Sequence, residues 1–239
     1  MMPDAETLYE VVEGTWPAAK YIPTGPFLLR VGADGGKRVS AATALRNDWT
    51  AADLSRAERC MAEIDQSNLF MLRQDEAQLD EALSDRGYTV LDPVNMYCVP
   101  VADLAKDIPP RVSTFAVWSP LAIGYDIWAQ AGIGKGRWAV MDRVSGAKTS
   151  ILGRWNDSPA GIAFVAIHDG IAMVHSLEVL PDQRRQGNAE RMMAAAAIWA
   201  RDNGASHLSV ICTDANDAAN KLYSKLGMTL IGGYHYRQK

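Results

Sequence analysis

The 239-residue chain has only three cysteines, no long hydrophobic run and little net charge. The cysteines, Cys60, Cys98 and Cys212, are far apart and odd in number. This pattern argues against a disulfide framework and predicts reduced, buried thiols. No window reaches the ~18 uninterrupted apolar residues of a membrane span, and the first residues lack the basic start and apolar run of a signal peptide. We therefore expect a cytoplasmic protein.

Several function classes find no support in the composition. A formal net charge of −4 gives no general reason to expect nucleic acid or an anionic membrane as a partner. The four histidines and three cysteines show neither C-x-x-C nor H-x-x-x-H spacing, so we expect no metal site. No Gly-x-Ser-x-Gly motif favours a hydrolase. The glycine-rich run 132–136 lacks the Ser or Thr that follows the lysine of a P-loop, and we interpret it as a flexible turn bordering the acceptor cleft.

The most informative segment passes from an apolar strand through a basic turn into an alanine-rich helix. The strand stops at Pro181, and the turn that follows reads Arg184-Arg185-Gln186-Gly187-Asn188-Ala189. The first N–H groups of a helix have no partner within the helix, and the macrodipole makes that end electropositive. Gly187 lets a ligand approach the backbone closely. The segment therefore predicts an anion-binding turn suited to a pyrophosphate.

Two motifs resemble those of one enzyme superfamily. The run Arg184-x-x-Gly187-x-Ala189 matches the (Arg/Gln)-x-x-Gly-x-(Gly/Ala) signature with which GNAT acetyltransferases hold the pyrophosphate of acetyl-CoA. The run that begins at Asn216 and includes Tyr223 is similar to their second signature, Asn-x-x-Ala-x-x-Leu-Tyr-x-x-x-Gly-Phe, except that Met228 replaces the phenylalanine. One helix and one strand separate the motifs, in the order that the superfamily has. The resemblance covers roughly residues 111–239.

The resemblance implies an α+β GNAT fold, with a central, mixed and mostly antiparallel sheet flanked by helices. It implies acetyl-CoA as co-substrate, no metal, and a small-molecule or peptide amine as acceptor, without nucleic acid or membrane partners; a homodimer is left open. Carried onto this chain, the expected acetyl-CoA-binding residues are Val179, Leu180, Arg184, Arg185, Gln186, Gly187, Asn188, Ala189, Asn216, Asn220 and Tyr223.

The chain divides at a double proline into two tandem halves. We predict a degenerate GNAT-like domain at 1–108 and a catalytic GNAT domain at 111–239. The segment 83–90 aligns with 223–230 at a constant offset of 140 residues, although any two glycine-capped helices share some likeness. Strands are expected at 26–31 and 38–45. No glycine turn follows them, so we expect the first half to have a structural or substrate-shaping role and the chain to bind one acetyl-CoA.

Transfer of an acetyl group from a thioester to an amine needs a proton acceptor for the ammonium and a proton donor for the thiolate. Asn216, Asn220 and Tyr223 have the i, i+4, i+7 spacing of one helical face. In the superfamily the matching tyrosine points at the thioester sulfur and the matching asparagine contacts the pantetheine arm. The resemblance thus implies that Tyr223 is the proton donor.

The proton acceptor is left open between His175, Glu178 and a chain of water molecules. The two residues are an odd number of positions apart, which places them on opposite faces of a regular strand. Superfamily members carry a bulge hereabouts, and a bulge would change that parity. Backbone N–H groups near Val179 and Leu180 are the expected oxyanion donors.

These observations favour an N-acetyltransferase acting by direct attack in a ternary complex. One alternative is a non-catalytic acyl-CoA-binding sensor or scaffold of the same fold. Another is a basic turn that holds a different phosphorylated ligand. We expect Trp118, Tyr125 and Trp128 to wall the acceptor cleft, which would suit an apolar or aromatic amine.

Overall fold

Eleven strands and eight helices make up the chain, and the computed structural model describes all residues 1–239. The first half contains α1 (Ala5–Thr15), β1 (Lys20–Thr24), β2 (Phe27–Val31), β3 (Thr43–Ala44), α2 (Ala51–Glu63), β4 (Leu69–Arg73), α3 (Ala77–Asp85), β5 (Thr89–Pro100) and α4 (Val101–Leu104). The second half contains β6 (Thr114–Val117), α5 (Ala122–Gln130), α6 (Lys135–Arg143), β7 (Lys148–Trp155), β8 (Ser158–His168), β9 (Ile171–Val179), α7 (Asn188–Asp202), β10 (His207–Thr213), α8 (Asp217–Lys225) and β11 (Thr229–Gln238).

Eight of the strands form one sheet with the order β4-β11-β5-β10-β9-β8-β7-β6. Every neighbouring pair in it is antiparallel except β9 and β10, which run parallel. The remaining strands form a small sheet, β1-β2-β3, which meets β4 through one parallel bridge between Ala42 and Phe70. The predicted α+β class, with a mixed and mostly antiparallel sheet flanked by helices, is confirmed.

The two halves exchange their last strands. β5 comes from the first half but lies between β10 and β11, whereas β11 comes from the second half and lies between β5 and β4. Each of these strands follows a helix that ends at a glycine with positive φ, Gly87 at 84° and Gly227 at 73°. The same turn closes both helices, since Tyr88 N–H donates to Leu83 and Met228 N–H donates to Tyr223, each at 3.1 Å. The halves are therefore joined through the sheet as well as through the connection at 105–113.

Helices cover both faces of the large sheet. On one face the small side chains of α7 let its backbone approach the strands, and Ala196, Ala197 and Ala200 are buried there with Val165 and Val174. On the other face α5 and α6 pack on β7 and β8 together with the end of α1. Residues alternate along β8 between these two cores, as expected for a strand buried on both faces.

The expected strand at 38–45 is wrong over most of its length. Residues Lys37–Val39 form a 3-10 turn, and only Thr43–Ala44 is strand. The Arg30 side chain donates to the carbonyl of Ala41 at 2.9 Å and to the Thr43 hydroxyl at 3.1 Å. Side chains thus supply hydrogen bonds that a neighbouring strand would otherwise make.

Candidate functional site

A gap opens in the large sheet between β9 and β10. The two strands are paired only where His207–Val210 runs beside Ile171–Val174. Beyond these residues β9 continues to Val179 and β10 to Thr213 without pairing to each other. A gap between parallel strands leaves backbone groups on its rims free to bind an extended ligand.

A β-bulge in β9 sets which side chains face the gap. His175 lies opposite Phe164 and Glu178 lies opposite Ile162, so β9 has one more residue than β8 in this interval. Ser176, within the bulge, has a φ of 50°. Since residues 162 and 164 share a face, the bulge places His175 and Glu178 on the same face. The alternation of a regular strand, which would put these two side chains on opposite faces, therefore does not hold here.

His175 is buried and its ring nitrogens are both occupied. Nε2 lies 2.9 Å from the hydroxyl of Thr15, which itself donates to the carbonyl of Val11 at 2.6 Å. The hydroxyl must therefore accept from Nε2–H, and Nδ1 accepts from Arg38 Nη1 at 3.0 Å. Burial, and secondarily the charge of Arg38, holds the pKa of His175 well below 6.5. The imidazole is neutral and has no free lone pair.

Glu178 has a different environment. Its side chain is partly exposed to a cleft of ≈ 300 Å³ and makes no hydrogen bond with the protein. Burial raises the pKa of its carboxyl group, and the charges of Arg184 and Arg137 oppose that rise. A carboxylate with free lone pairs and a raised pKa is suited to accept a proton.

Both halves of the chain line this cleft. Trp16, the turn Gly35–Arg38 and Asp92 come from the first half, while Ser176 and Glu178 belong to β9. The other lining residues are Val94, Ile133, Arg137, Ile211, Cys212, Thr213, Tyr234 and Tyr236. The first half therefore shapes the mouth of the gap.

The expectation that Trp118, Tyr125 and Trp128 wall the cleft is wrong. Trp128 is fully buried, and the other two pack against the same core beside β7 and β8. The indole of Trp128 donates to the carbonyl oxygen of Ser176 at 2.9 Å, which holds it beneath the bulge. The glycine-rich run is only partly a turn, because α6 begins at Lys135.

The basic turn after β9 presents an unbroken series of free backbone donors. The N–H groups of residues 185–190 donate no hydrogen bond inside the protein, and no side chain caps α7. Arg185 and Gly187 have φ of 62° and 75°, so their N–H groups contribute to a concave surface rather than to a regular turn. Such a nest at a helix N-terminus binds anions, and it fits a pyrophosphate.

Side chains brace this turn from behind. Asn188 Nδ2 donates to the carbonyl of Gln183 at 2.7 Å, and Arg191 donates to Gln186 at 2.6 Å and to Asn188 Oδ1 at 2.7 Å. Arg191 also lies over the ring of Trp155, 3.9 Å from its centroid. Sequence reasoning missed Arg191, and its spacing one helical turn after Gly187 was the available signal.

Of the expected oxyanion donors, only one backbone group is free. Leu180 N–H donates to the carbonyl of Ala160 at 3.0 Å. Because alternate N–H groups of a strand point to opposite neighbours, Val179 N–H points toward β10, which has already diverged. Arg184 reaches back to the Val179 carbonyl at 3.0 Å and fixes the end of the strand.

Asn220 and Tyr223 lie on one face of α8, next to Tyr97 of β5. Tyr223 is 6% exposed, burial raises the pKa of its phenol, and no protein group hydrogen-bonds to its hydroxyl. Asn220, in contrast, has its amide saturated by contacts with β10, β5 and the α8 N-terminus. Asn216 caps α8 by accepting from Ala219 N–H at 3.1 Å. Tyr223 is thus the one buried residue of the three with an unused polar group, whereas Asn216 is exposed and its Nδ2 has no partner in the protein.

The corresponding helix of the first half has no free anion-binding end. Thr50 and Asp53 form a reciprocal capping box at the start of α2, in which Thr50 N–H donates to the Asp53 carboxylate at 3.0 Å and Asp53 N–H to the Thr50 hydroxyl at 3.3 Å. The carboxylate occupies the place that a phosphate would need. Leu83 stands where α8 has Tyr223.

Comparison with known proteins agrees with this geometry. Residues 124–228 match the model of the acetyltransferase (GNAT) family. The chain is similar to an uncharacterized N-acetyltransferase, YobR, of Bacillus subtilis (strain 168), with 25% identity over 100% of both chains. The fold of this chain is similar to that of a GCN5-related N-acetyltransferase from Kribbella flavida. The TM-score is 0.76 at 20% identity, and the match covers 100% of this chain and 96% of that one.

A tandem GNAT protein from the clavulanic acid biosynthesis pathway has a similar fold. Its TM-score is 0.63 at 13% identity, covering 89% of this chain and 77% of that one. The chain carries a domain of the GNAT acetyltransferase family. No helix has the length and apolarity to cross a membrane.

Proposed function

We propose that the protein is an acetyl-CoA-dependent N-acetyltransferase, which moves the acetyl group to the primary amine of a small molecule or peptide by direct attack in a ternary complex. One observation carries the proposal: free N–H groups at 185–190 stand beside a gap in the sheet, with Glu178 on one face of the sheet and Tyr223 on the other.

The residues around the gap fit the parts of the co-substrate. The N–H groups of residues 185–190, with Arg184 and Arg185 at the rim, would bind the pyrophosphate. The rims of the gap, including Val179 N–H, would bind the extended pantetheine arm. Acetyl-CoA supplies an activated acetyl thioester there. Asn220 acts indirectly, because its amide already holds α8 against the neighbouring strands, and Asn216 caps the start of α8.

Glu178 is the proton acceptor in this proposal. The ammonium of the acceptor transfers a proton to the carboxylate, either directly or through one water molecule, and the free amine attacks the thioester carbon. The new C–N bond forms as the C–S bond breaks, and Val179 N–H stabilises the oxyanion. His175 is a positioning residue, since it fixes the strand and Arg38 but has no lone pair to accept a proton.

Tyr223 donates a proton to the departing thiolate. Its hydroxyl is free of protein partners, and its raised pKa keeps the phenol protonated until the thiolate forms. An ordinary thiol pKa lies near 8.5, below that of the phenol, so the transfer requires that burial also raises the pKa of the leaving thiol. The proton that the acylated nitrogen loses as the amide forms returns Tyr223 to the phenol. The first half, residues 1–108, contributes the cleft wall but no second acetyl-CoA site.

Two measurements test this function. Calorimetry should show that desulfo-CoA binds far more tightly than ADP, which would exclude a generic phosphate site. Release of free thiol from acetyl-CoA in the presence of an amine library should then separate a transferase from a non-catalytic acyl-CoA sensor. Tight desulfo-CoA binding with no thiol release for any amine would refute the transferase proposal.

A further inference from the structure

The cleft lined by Glu178, where the amine would bind, carries more positive charge than the binding of an amine requires. Its charged lining residues are Lys37, Arg38, Asp92, Arg137 and Glu178. Lys37 and Asp92 neutralise each other in an ion pair with 2.6 Å between Nζ and Oδ2. Two guanidinium groups and one carboxylate remain, and neither arginine forms an ion pair with an acidic residue. A cleft of net positive charge repels a plain alkylammonium ion.

Arg38 is held in place, but some of its N–H donors have no hydrogen-bond partner. Its Nη1 donates to His175 and its guanidinium lies over the ring of Trp16, 5.3 Å from the centroid. Its Nε has no hydrogen-bond partner, and Nη2 donates to no protein group. A half-buried guanidinium with unused donors and no carboxylate partner is costly unless a ligand completes it.

Arg137 belongs to the opposite wall. It makes no hydrogen bond to the protein, and a Cβ added at Gly36 would lie 3.5 Å from its Nε, so the guanidinium rests over that backbone. The two walls are tightly packed, because a Cβ at Gly136 would lie 2.3 Å from the Asp34 carbonyl oxygen. The Arg137 side chain therefore lies between the Gly36 backbone and the cleft, where its charge acts on the carboxyl group of Glu178.

The next inference rests on the proposed acetyl transfer. We propose that the acceptor is an amino carboxylate, a small molecule that carries both the reacting amine and a carboxylate. Glu178 receives the ammonium end, and Arg38 and Arg137 bind the carboxylate. The planar donor edge of a guanidinium matches a carboxylate. A cleft of ≈ 300 Å³ fits a ligand of amino-acid size.

The test compares amino acids with their own carboxamides in the thiol-release assay. Wild-type protein should have a kcat/KM for the preferred amino acid at least about 10-fold above that for its carboxamide. In Arg137→Gln this preference should fall by about 10-fold or more, mainly through a higher KM for the amino acid. The lost charge also acts on Glu178 with either substrate, so the quantity compared is the ratio of the two kcat/KM values. Arg137→Lys should restore part of it. Arg201→Gln makes the same charge change on the exposed end of α7 and should have no effect.

Equal use of acids and carboxamides, or an equal loss for both in Arg137→Gln, would overturn the inference. A preference for aminoalkyl phosphonates over amino acids would also overturn it. If no compound releases thiol, the transferase proposal fails separately, and calorimetry with N-acetyl amino acids and N-acetyl carboxamides in the presence of CoA still decides the carboxylate question. Selective binding of the acids, lost in Arg137→Gln, supports the inference.

Discussion

The indole nitrogen of Trp128 hydrogen-bonds to the carbonyl oxygen of Ser176, with 2.9 Å between the two atoms. Ser176 lies in the bulge of β9, where the ladder to β8 shifts register. A carbonyl displaced from a ladder and buried needs another donor. Trp128 supplies it from the core, and so maintains the bulge that places Glu178 at the cleft.

Removing this donor should damage both stability and activity. Trp128→Phe keeps an aromatic ring but leaves the Ser176 carbonyl without its donor, which costs about 1–3 kcal/mol in the free energy of unfolding. We expect kcat to fall as well, because Glu178 loses its position. Urea denaturation and thiol-release kinetics measure the two effects. Trp138→Phe is the matched control, since the Trp138 indole nitrogen has no partner to lose. Equal effects of both substitutions would contradict the role of the hydrogen bond.

Gly187→Val should weaken acetyl-CoA binding without unfolding the protein. Gly187 has a φ of 75°, and an added Cβ would lie 3.0 Å from Arg191 Nη1 and 3.2 Å from Glu190 Oε2, both at the ends of flexible side chains. The new side chain occupies the concave face where phosphate oxygens would bind. Gly204→Val places the same side chain at a φ of 85° with nothing within 4 Å, so it reproduces the backbone strain alone. Calorimetric affinity should fall only in the first variant.

Glu178→Gln should abolish most activity yet stabilise the fold near neutral pH. Because burial raises the carboxyl pKa in the folded state, the native protein binds the proton more tightly than the unfolded chain. Stability from this group is therefore present below its unfolded pKa and is lost as pH rises through the folded value. The variant should melt at a higher temperature than wild type at pH 7, and the difference should shrink below about pH 4. A variant less stable at pH 7 would contradict the sign of this shift.

Tyr223→Phe should lower kcat by about 10²–10⁴-fold and leave the affinity for acetyl-CoA nearly unchanged. The ring and its packing remain, and the hydroxyl has no hydrogen bond in the protein to lose. Tyr97→Phe is the structural counterpart, because its hydroxyl donates to Asn220 Oδ1 at 2.8 Å. That variant should lose about 0.5–1.5 kcal/mol of stability with a smaller effect on kcat. A wild-type kcat for Tyr223→Phe would show that Tyr223 serves only in packing and donates no proton.

The second half was predictable because its signals are local. The basic turn that leads into an alanine-rich helix is written in consecutive residues, and the structure has α7 there, beginning at Asn188. The free N–H groups of the basic turn follow from a glycine in place of a side-chain cap.

The first half and the cleft were not predictable in the same way. The starts of α1 and α2 do carry local signals there, the side-chain caps Asp4 and Thr50. The exchange of β5 and β11 depends on pairing between distant segments, which no local pattern encodes. Arg38 and Arg137 come together across the two halves, so neither residue stands out in its own neighbourhood.

The number of acetyl-CoA molecules bound per chain tests the central claim most directly. Acetyl-CoA should bind at the free N–H groups of residues 185–190, whereas the Asp53 carboxylate closes the corresponding end of α2. Each lost charge-assisted hydrogen bond to a pyrophosphate is worth about 1.5–3 kcal/mol, so the first half should not bind measurably. Calorimetric titration with desulfo-CoA should give one site per chain, eliminated by Gly187→Val. Two equivalent sites, or one site that survives Gly187→Val with unchanged affinity, would contradict it.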